Sequence, residues 1–555
     1  MKLILASVLA AAMPLLAAAA ANPAKPAAKP PEAAAAPAER DVNPAPARRP
    51  GEGEGPYRRL VIRGATLIDG TGAPPRGPVD IVVEGNRIAD ITSAGTPGLP
   101  MKPNREPRGA DREIDATGMY VLPGFVDMHA HGGDPVKAPD LDYVYKLWLA
   151  HGVTTVRGVP LAGYAVATSE KARSARNEIA APRIFNYQTV GAGWSERVDT
   201  PEKARAWVRW AAKNGVDGVK MFGWGDETPE IMRATIDEAK KQGLGTVAHL
   251  AQLAVAGFDG REAGEAGLGT ITHFYGHFEA LLRQNQIQPF PPVYNFNNEQ
   301  QRFGEVAEIW DDIFEPGGPE WRAYLEEQKK NGVTFDPTFN IYAASRDLMR
   351  ARNADWHATY TLPSLWTYYQ STRDNHGSYF FDWTTWNEVA WRNFYARYFR
   401  LINDYKNMGG RVTTGSDSGF IFKLYGFGYI EELELLQEAG FHPLEVIQSA
   451  TINGAKTIYE PKGQAPPFGL MRRGMLADLL IVPENPLANL KTLYGTGHVR
   501  LNDKTNQPER VGGVKFTIKD GIVYDAKALL ADVAATVAAA KQRQPASATG
   551  AGAQP

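Results

Sequence analysis

Residues 125–131 read Phe-Val-Asp-Met-His-Ala-His, an apolar run that ends in two histidines. Side chains alternate between the two faces of a β-strand, so His129 and His131 point to the same side. Two imidazoles on one strand face are well placed to share a metal ion. Because such pairs also occur at packed or surface positions, the run alone predicts a strand and only raises the hypothesis of a metal site.

Seven similar apolar or β-rich runs follow, at 153–159, 183–190, 216–222, 245–250, 269–275, 333–338 and 411–417. Most are separated by helix-like segments. Eight strands alternating with helices predict an α/β fold, a (β/α)₈ TIM barrel of parallel strands, and an open doubly wound sheet is the alternative. No glycine-rich phosphate loop follows the first strand, which removes the usual functional mark of the open sheet.

Short strand-like runs also flank this region, with a hairpin turn at Gly85-Asn86 on the N-terminal side. Their presence at both ends predicts a small composite β-sandwich domain, formed by the N- and C-terminal segments, into which the barrel is inserted. We assign the first part of this domain to 57–120, the barrel to 121–462 and the second part to 463–530.

Two barrel connections are oversized, at about 276–332 and 340–408, and seven of the 12 tryptophans lie between Trp310 and Trp391. Long loops that follow barrel strands usually carry function, because they lie on the active-site face. The alternative is a helical insertion whose aromatic side chains pack their own small core. The two interpretations are compatible.

The N-terminus has the pattern of an export signal, with Lys2, an apolar stretch from Leu3 to Leu16 and then alanines. An uncleaved membrane anchor is the alternative, and Pro14 favours cleavage. We predict a signal peptide at 1–21 and a periplasmic or secreted protein. The composition predicts a disordered Ala/Pro-rich linker at 22–56 and a low-complexity tail at 531–555.

Other predicted strands also end in residues that suit a metal site: Lys220, His249, His273 and Asp417. Active sites of barrels form at the C-terminal ends of the strands. A lone buried ammonium such as that of Lys220 is costly and needs a partner. Any one polar residue at a strand end is common, whereas five strand ends that all supply metal-compatible side chains are hard to reach by chance.

The segment 123–131, Pro-Gly-Phe-Val-Asp-Met-His-Ala-His, resembles the signature of the amidohydrolase superfamily. The segments 68–72 and 474–482 are also similar to that superfamily, and the resemblance spans roughly 58–526. It implies a metal-bearing barrel that interrupts a small β-sandwich. The site resembles the binuclear type with a carboxylated lysine, which includes prolidase-like members and Xaa-Arg/Lys dipeptidases.

This resemblance implies that six side chains hold two metal ions: His129, His131, Lys220, His249, His273 and Asp417. By the resemblance, the first two histidines and the aspartate hold one ion, and the other two histidines hold the second. The lysine, converted to a carbamate by carbon dioxide, bridges the two ions. Nitrogen and oxygen ligands favour zinc, and manganese, cobalt and iron are compatible with them.

Such a site predicts hydrolysis by a water molecule activated between two metal ions. Asp417 is expected to take up the proton of the water and pass it to the leaving nitrogen. We expect the substrate to be an amide, as in a dipeptide, an N-acyl amino acid or a cyclic amide. A lactone, a carbamate or a phosphotriester is the alternative, and a non-catalytic binding protein is a further one.

Three residues are candidates for binding the substrate: Tyr275 and His277, which follow a predicted ligand, and Arg157, whose guanidinium could clamp a carboxylate. Many dipeptidase-like relatives have Val-Arg-Asp where this chain has Val-Arg-Gly158. The chain has 60 basic and 62 acidic side chains and no long basic run, so we expect no nucleic-acid partner. We also expect no stable membrane association after signal cleavage, and a homo-oligomer is compatible with the sequence.

Overall fold

The computed structural model describes residues 41–543, apart from 97–98, 100–105, 252–254, 256, 285–289, 292, 297 and 373–375. The predicted signal peptide and the outer parts of the predicted linker and tail lie outside these residues. Among the residues that are described, no helix combines the length and the apolar composition that crossing a membrane requires.

The strands fall into three groups along the chain. Five come first: β1 (Leu60–Leu67), β2 (Arg76–Glu84), β3 (Arg87–Ser93), β4 (Arg112–Asp115) and β5 (Tyr120–Pro123). Eight barrel strands follow: β6 (Phe125–Ala130), β7 (Val153–Gly158), β8 (Arg183–Thr189), β9 (Gly218–Met221), β10 (Gly245–His249), β11 (Thr270–Thr272), β12 (Thr334–Asp336) and β13 (Arg411–Val412). The last group is β14 (Leu479–Val482), β15 (His498–Asn502), β16 (Gln507–Val511), β17 (Phe516–Lys519) and β18 (Ile522–Asp525).

Helices occupy most of the connections between barrel strands. Before β12 they are α1 (Leu141–Ala150), α2 (Tyr164–Ala175), α3 (Pro201–Lys213), α4 (Pro229–Lys241), α5 (Gly260–Glu265), α6 (Glu299–Val306) and α7 (Pro319–Lys330). Between β12 and β13 they are α8 (Phe339–Arg346), α9 (Leu348–Arg352), α10 (His357–Tyr360), α11 (Pro363–Tyr368) and α12 (Thr385–Asn407). The remainder are α13 (Phe427–Glu438), α14 (Pro443–Gln448), α15 (Gly454–Tyr459) and α16 (Ala526–Arg543).

The predicted barrel is confirmed. Strands β6 to β13 lie side by side in chain order in one sheet, and each neighbouring pair is parallel. The sheet closes where Met128 N donates to Thr414 O at 2.9 Å and Asp417 N donates to His129 O at 2.8 Å. A Cβ on Gly415 would lie 2.7 Å from the Cβ of His129, so this close approach needs a glycine. Closure excludes the open doubly wound sheet.

Two barrel helices begin with the same three residues, Thr-Pro-Glu. Thr200 caps α3 by accepting a hydrogen bond from Lys203 N, and Thr228 caps α4 by accepting one from Ile231 N. The proline that follows needs no N–H partner in the first turn, and the glutamate favours the positive end of the helix dipole. The sequence therefore sets both helix starts locally, which fixes where the preceding βα loops end.

The two ends of the ordered chain join in one β domain, as predicted. Its sheet has the order β18-β17-β14-β5-β1-β2-β3, with β4 beside β1, and β14 from the C-terminal segment pairs antiparallel with β5. Alternate side chains of β14 serve two cores. Leu479 and Ile481 pack in the core of the β domain, whereas Leu480 and Val482 pack into the core of the barrel.

The structure corrects the predicted linker over residues 41–56. Val42 and Ala45 are buried, Asn43 N donates to Pro139 O at 2.7 Å, and a Glu52 carboxylate oxygen lies 2.9 Å from Lys146 Nζ. The composition of this segment predicts disorder because it has few large hydrophobic residues. In the structure, small apolar side chains and polar contacts fix the segment to the barrel instead.

The predicted tail is corrected in the same way, because α16 continues to Arg543. Val533 and Val537, four residues apart on this helix, are both buried in the main core. The alanine-rich composition that suggested low complexity is also a composition that favours a helix. Residues 544–555 lie outside the described part of the chain.

Arg183, at the start of β8, joins the barrel to the β domain. It lies 2.9 Å from an Asp520 oxygen and 3.2 Å from an Asp478 oxygen, both of which are buried. Arg183→Met should lower the free energy of unfolding by about 3 kcal/mol or more in urea denaturation, because buried carboxylates lose a cation. Arg176→Met, in an exposed pair with Glu178, is the control and should leave the free energy of unfolding nearly unchanged, because water screens an exposed ion pair. Equal losses in the two variants would contradict this role.

Candidate metal centre

The six predicted ligands come from five strand ends on one rim of the barrel. His129 lies within β6, Lys220 within β9 and His249 is the last residue of β10. His131 and His273 follow their strands directly, and Asp417 lies in the segment after β13. Because all the strands are parallel, these residues share the C-terminal rim, where the barrel opens to its loops.

His129, His131 and Asp417 form a compact cluster whose potential ligand atoms all lie within 4.8 Å of one another. Asp417 Oδ1 is 3.2 Å from His131 Nε2 and 3.7 Å from His129 Nε2. The other oxygen, Oδ2, lies 3.6 Å from His273 Nε2. Asp417 therefore presents one oxygen to the histidine pair of β6 and the other to the histidine of β11.

His249 completes a row of imidazoles, with its ring centroid 4.7 Å from that of His273. Its Nε2 is buried, and no described residue makes a hydrogen bond to it. A buried polar atom without a partner is costly, and a metal ion is a partner that a neutral imidazole nitrogen can bind. The residues present therefore fit a metal site.

Polar contacts to Nδ1 orient the imidazoles of three of the candidate ligands. His129 Nδ1 lies 2.7 Å from Thr272 Oγ1, His131 Nδ1 lies 3.1 Å from Pro160 O, and His273 Nδ1 lies 2.5 Å from Thr338 Oγ1. The carbonyl of Pro160 can only accept, so the Nδ1 of His131 donates, and its Nε2 faces the Asp417 carboxylate. Contacts of this kind fix the ring and leave Nε2 available to a metal.

Burial sets the protonation states that metal ligands need. It holds the pKa of His129 and His249 well below the ordinary value and lowers that of His273 to about 3. Burial also lowers the pKa of Lys220 to about 7. Burial alone would raise the pKa of Asp417, but His131, His273 and Lys220, which surround its carboxylate, outweigh burial and bring this pKa to about 2. The imidazoles of His129, His249 and His273 are therefore neutral beside a carboxylate anion.

Two ligands have strained backbones. His273 has a φ of 65° and Asp417 a φ of 46°. Both values lie in the left-handed region of backbone conformation, which residues other than glycine rarely adopt. His273 N donates to Asp336 O at 3.0 Å, and Asp417 N donates to His129 O at 2.8 Å. Hydrogen bonds across neighbouring strands thus hold a conformation that turns both side chains into the centre.

Sequence reasoning missed two buried carboxylates. Asp127 accepts hydrogen bonds from Ser416 N, Ser416 Oγ and His129 N, and burial raises its pKa to about 7. Asp336 ends β12, and its Oδ2 lies 3.9 Å from His129 Nδ1. Both could have been found, because Asp127 shares a strand face with His129 and Asp336 lies near the end of a predicted strand.

Arg157 is not brought to the mouth of the centre, which corrects its prediction as a substrate clamp. The guanidinium is buried and donates to Met128 O at 2.7 Å and to Thr270 Oγ1 at 3.0 Å, with Asp336 Oδ2 at 3.3 Å. Thr270 precedes the His129 partner Thr272 by two residues on the same strand face. Arg157 therefore lies one side-chain layer beneath the metal ligands.

Tyr275 and His277 lie in different places, one beside the centre and the other away from it. The Tyr275 ring lies 4.7 Å from that of His249, so it borders the centre. His277 turns away, with its ring 4.2 Å from Phe335 and its Nδ1 2.6 Å from Tyr324 Oη. His277 is therefore a packed residue outside the centre, contrary to its prediction as a substrate contact.

The oversized loops pack next to the centre and also build a core of their own. Tyr342 of α8 lies 5.7 Å from the His273 ring and stacks at 5.7 Å on Trp391 of α12. His376 Nδ1 lies 3.0 Å from a Glu299 oxygen, which joins the two loops to each other. The aromatic-rich insertions therefore pack a core of their own, and they also lie beside the candidate centre.

A substitution of Thr272 tests whether the polar contacts to the Nδ1 atoms of the histidines matter for metal binding. Thr272→Val keeps the shape but removes the hydroxyl that touches His129 Nδ1, so metal affinity should fall about 10- to 100-fold. The affinity is measured by competition with a chelator, and circular dichroism checks the fold. Thr272→Ser keeps the hydroxyl and should bind like the parent, and equal weakening in both variants would refute the orienting role.

The chain matches no protein-family model. It is 42% identical to an N-acyl-D-aspartate deacylase of Alcaligenes xylosoxydans xylosoxydans over 73 residues, 13% of this chain and 12% of the relative. It is 25% identical to a dihydroorotase of Elusimicrobium minutum (strain Pei191) over 236 residues, 41% of this chain and 51% of the relative. The chain thus spans about half or less of the curated relatives it matches.

Solved structures match over most of the chain. A Xaa-Pro dipeptidase with bound methionine has a TM-score of 0.53 at 20% identity, covering 84% of this chain and 100% of that one. A bottromycin amidohydrolase has a TM-score of 0.58 at 19% identity, covering 88% and 91%. These likenesses show the fold, and the curated matches cover smaller parts of the chain. The chain therefore has the fold of these solved structures, and stretches of its sequence are similar to a deacylase and a dihydroorotase.

Proposed function

We propose that this protein is an exported metal-dependent hydrolase that cleaves an amide C–N bond in a small-molecule or dipeptide-like substrate. The convergence of four imidazoles and the Asp417 carboxylate at one rim, with His249 Nε2 lacking a partner among the described residues, carries the proposal. Relatives named deacylase and D-hydantoinase, and a structural neighbour titled Xaa-Pro dipeptidase, support an amide substrate.

The ligand set divides into two halves. His129 and His131 would hold one divalent ion, and His249 and His273 the second. Asp417 suits the first ion, because its Oδ1 is within 3.7 Å of both histidines of that half. Nitrogen and oxygen donors of this kind are compatible with zinc, and also with manganese, cobalt or iron.

Lys220 is proposed to be a carbamate between the two halves. Its ammonium is buried and has no carboxylate within ion-pair distance among the described residues. With a pKa lowered to about 7, much of the side chain is a neutral amine near neutral pH. In the modification the amine nitrogen bonds to the carbon of carbon dioxide and loses a proton. The product is an anion in a place that otherwise holds an uncompensated cation.

Asp417 is the residue best placed to move a proton. Two metal ions bound here would polarise the substrate carbonyl and lower the pKa of a water molecule. Asp417 stays an anion because its pKa lies near 2, so it can accept a hydrogen bond and shuttle a proton toward the leaving nitrogen. Tyr275, beside His249, is proposed to contact the substrate.

Export rests on the sequence pattern of residues 1–21, where Lys2 precedes an apolar stretch and a run of alanines. We propose a periplasmic or secreted location. N-terminal sequencing of the protein recovered from the periplasm or the medium would test it, and an intact Met1 on protein retained in the cytoplasm would refute it.

A substrate screen tests the amide assignment. Metal-loaded protein is assayed against dipeptides, N-acyl amino acids, cyclic amides, lactones, carbamates and phosphotriesters, and we expect turnover among the amides. Asp417→Asn should lower kcat by about 10²–10⁴-fold, because the proton shuttle is lost. Turnover confined to the lactones, carbamates or phosphotriesters would replace the proposed bond, and no turnover would favour a non-catalytic binding protein.

Lys220→Ala tests the bridging anion. Metal analysis should find about two ions per parent chain and fewer in the variant, with most of the activity lost. Added formate, acetate or propionate should restore part of the activity by supplying an anion in the vacated space. The control Lys213→Ala removes an exposed lysine and should change neither quantity. Full activity in Lys220→Ala would contradict the carbamate.

A further inference from the structure

Lys137 is a buried lysine beside the metal centre that none of the roles above uses. It lies six residues after His131, in a turn closed by Asp134 N to Ala138 O at 3.1 Å and Ala138 N to Asp134 O at 2.9 Å. Val136 at the tip of this turn is 79% exposed, whereas Lys137 is 5% exposed. This reverses the usual preference of the two side chains for water, so the turn places a cation inside the protein.

The Lys137 ammonium packs on two aromatic rings. Lys137 Nζ lies 3.5 Å from the centroid of Phe420, which follows β13, and 4.6 Å from that of Tyr368 in α11. Ser364 Oγ, also in α11, donates to the Lys137 carbonyl at 2.8 Å and holds the backbone of the turn. Three separate segments of the chain therefore meet around this one side chain.

No described residue offers the Lys137 ammonium a hydrogen-bond acceptor or a carboxylate at ion-pair distance. Burial lowers the pKa of Lys137 to about 8, although the charges of Asp134 and Asp417 act in the opposite direction. Phe420 connects the lysine to the candidate metal ligands, because its ring is 6.0 Å from that of His131.

Packing does not account for the charge. A methionine would fill similar space on the two rings without the desolvation cost of an ammonium, and the cation–π attraction offsets only part of that cost. The missing partner is therefore an anion that arrives from solution. A single ammonium suits one carboxylate, whereas a phosphate group usually meets several donors.

We propose that Lys137 is a substrate-binding residue whose ammonium donates hydrogen bonds to a carboxylate of the substrate. The inference rests on the proposed function, because it places the substrate amide at the metal centre. The carboxylate then lies on the side of the rim formed by His131 and Phe420. The substrate class narrows to amides that carry a free acid, such as N-acyl amino acids and dipeptides, and cyclic amides without an acid are excluded.

The opposite side of the rim suits an apolar substituent. Strands β6 and β10 face each other across an eight-stranded barrel, and Trp224 lies in the loop between β9 and α4. Its ring stacks at 4.5 Å on Phe222 and lies 6.4 Å from that of His249, yet its side chain is 43% exposed. An acyl group or an N-terminal side chain would rest on this indole, with the acid end toward Lys137.

The experiment compares acids with neutral amides of the same shape. The probes are N-acetyl-L-phenylalanine, N-acetyl-L-leucine and glycyl-L-phenylalanine, each with its C-terminal amide. Hydrolysis and thermal stabilisation by each probe are measured for the metal-loaded full chain and for Lys137→Met, Lys137→Gln and Lys137→Arg. Val136→Ala, in the same turn but exposed, is the matched control.

We expect the parent to prefer the acids. Lys137→Met and Lys137→Gln should raise KM for the acids by about 10- to 100-fold, the usual worth of a charge-assisted hydrogen bond. They should leave kcat and the KM for the amides within about twofold, and their acid-specific thermal stabilisation should disappear. Lys137→Arg should keep a preference for the acids, and Val136→Ala should behave like the parent.

Several results would overturn the inference. One is a parent that binds no acid better than its amide, which decides the matter even if the variants fail to fold. Others are neutral variants that keep the acid preference, or an equal fall in kcat for acids and amides. If the protein hydrolyses the probes but does not prefer the acids to their amides, the role of Lys137 is refuted and the proposed hydrolase function stands. Lys137-dependent binding of acids without hydrolysis removes the proposed function and leaves the anion site standing.

Discussion

The contact between strand β6 and the segment that follows β13 is the constraint on which the rest of the structure depends. Asp417 N donates to His129 O, and Asp127 accepts two hydrogen bonds from Ser416. These bonds close the barrel and at the same time bring Asp417 against the histidines of β6. Gly415 permits the approach, because any side chain there would collide with His129. Barrel closure and assembly of the centre are therefore one event.

The centre is a buried region in which charge is unusually concentrated. Burial keeps the imidazoles of His129, His249 and His273 neutral, while the groups around Asp417 hold its pKa low and keep it an anion. Beneath them, Arg157 balances Asp336 in the next layer of the barrel. A fold that gathers nitrogen lone pairs and an anion in a dry place has a site that cations stabilise, and the same logic gives the proposed carbamate its role.

The oversized loops explain how one barrel can be adapted to a particular substrate. Their aromatic residues pack on one another, as Tyr342 does on Trp391, and so form a firm wall against the ligands. Phe420 and Tyr368 extend this wall to Lys137. The candidate metal ligands come mainly from the strand ends, whereas the residues proposed to recognise the substrate come mainly from loops, which vary without disturbing the barrel.

The sequence by itself determined the eight barrel strands, the joining of both chain ends in one β domain, and the strand ends at which the six candidate ligands lie. These features follow from local rules, namely side-chain alternation, strand length and the position of a residue along its strand. Only the tertiary structure decided which polar residues face the centre. Arg157 points into the barrel as alternation requires, but its depth depends on Thr270 and Asp336 from other strands. Lys137 and Val136 exchange their expected exposures because α11 and the β13 loop pack on the turn, and contacts between distant segments leave no mark in a local pattern.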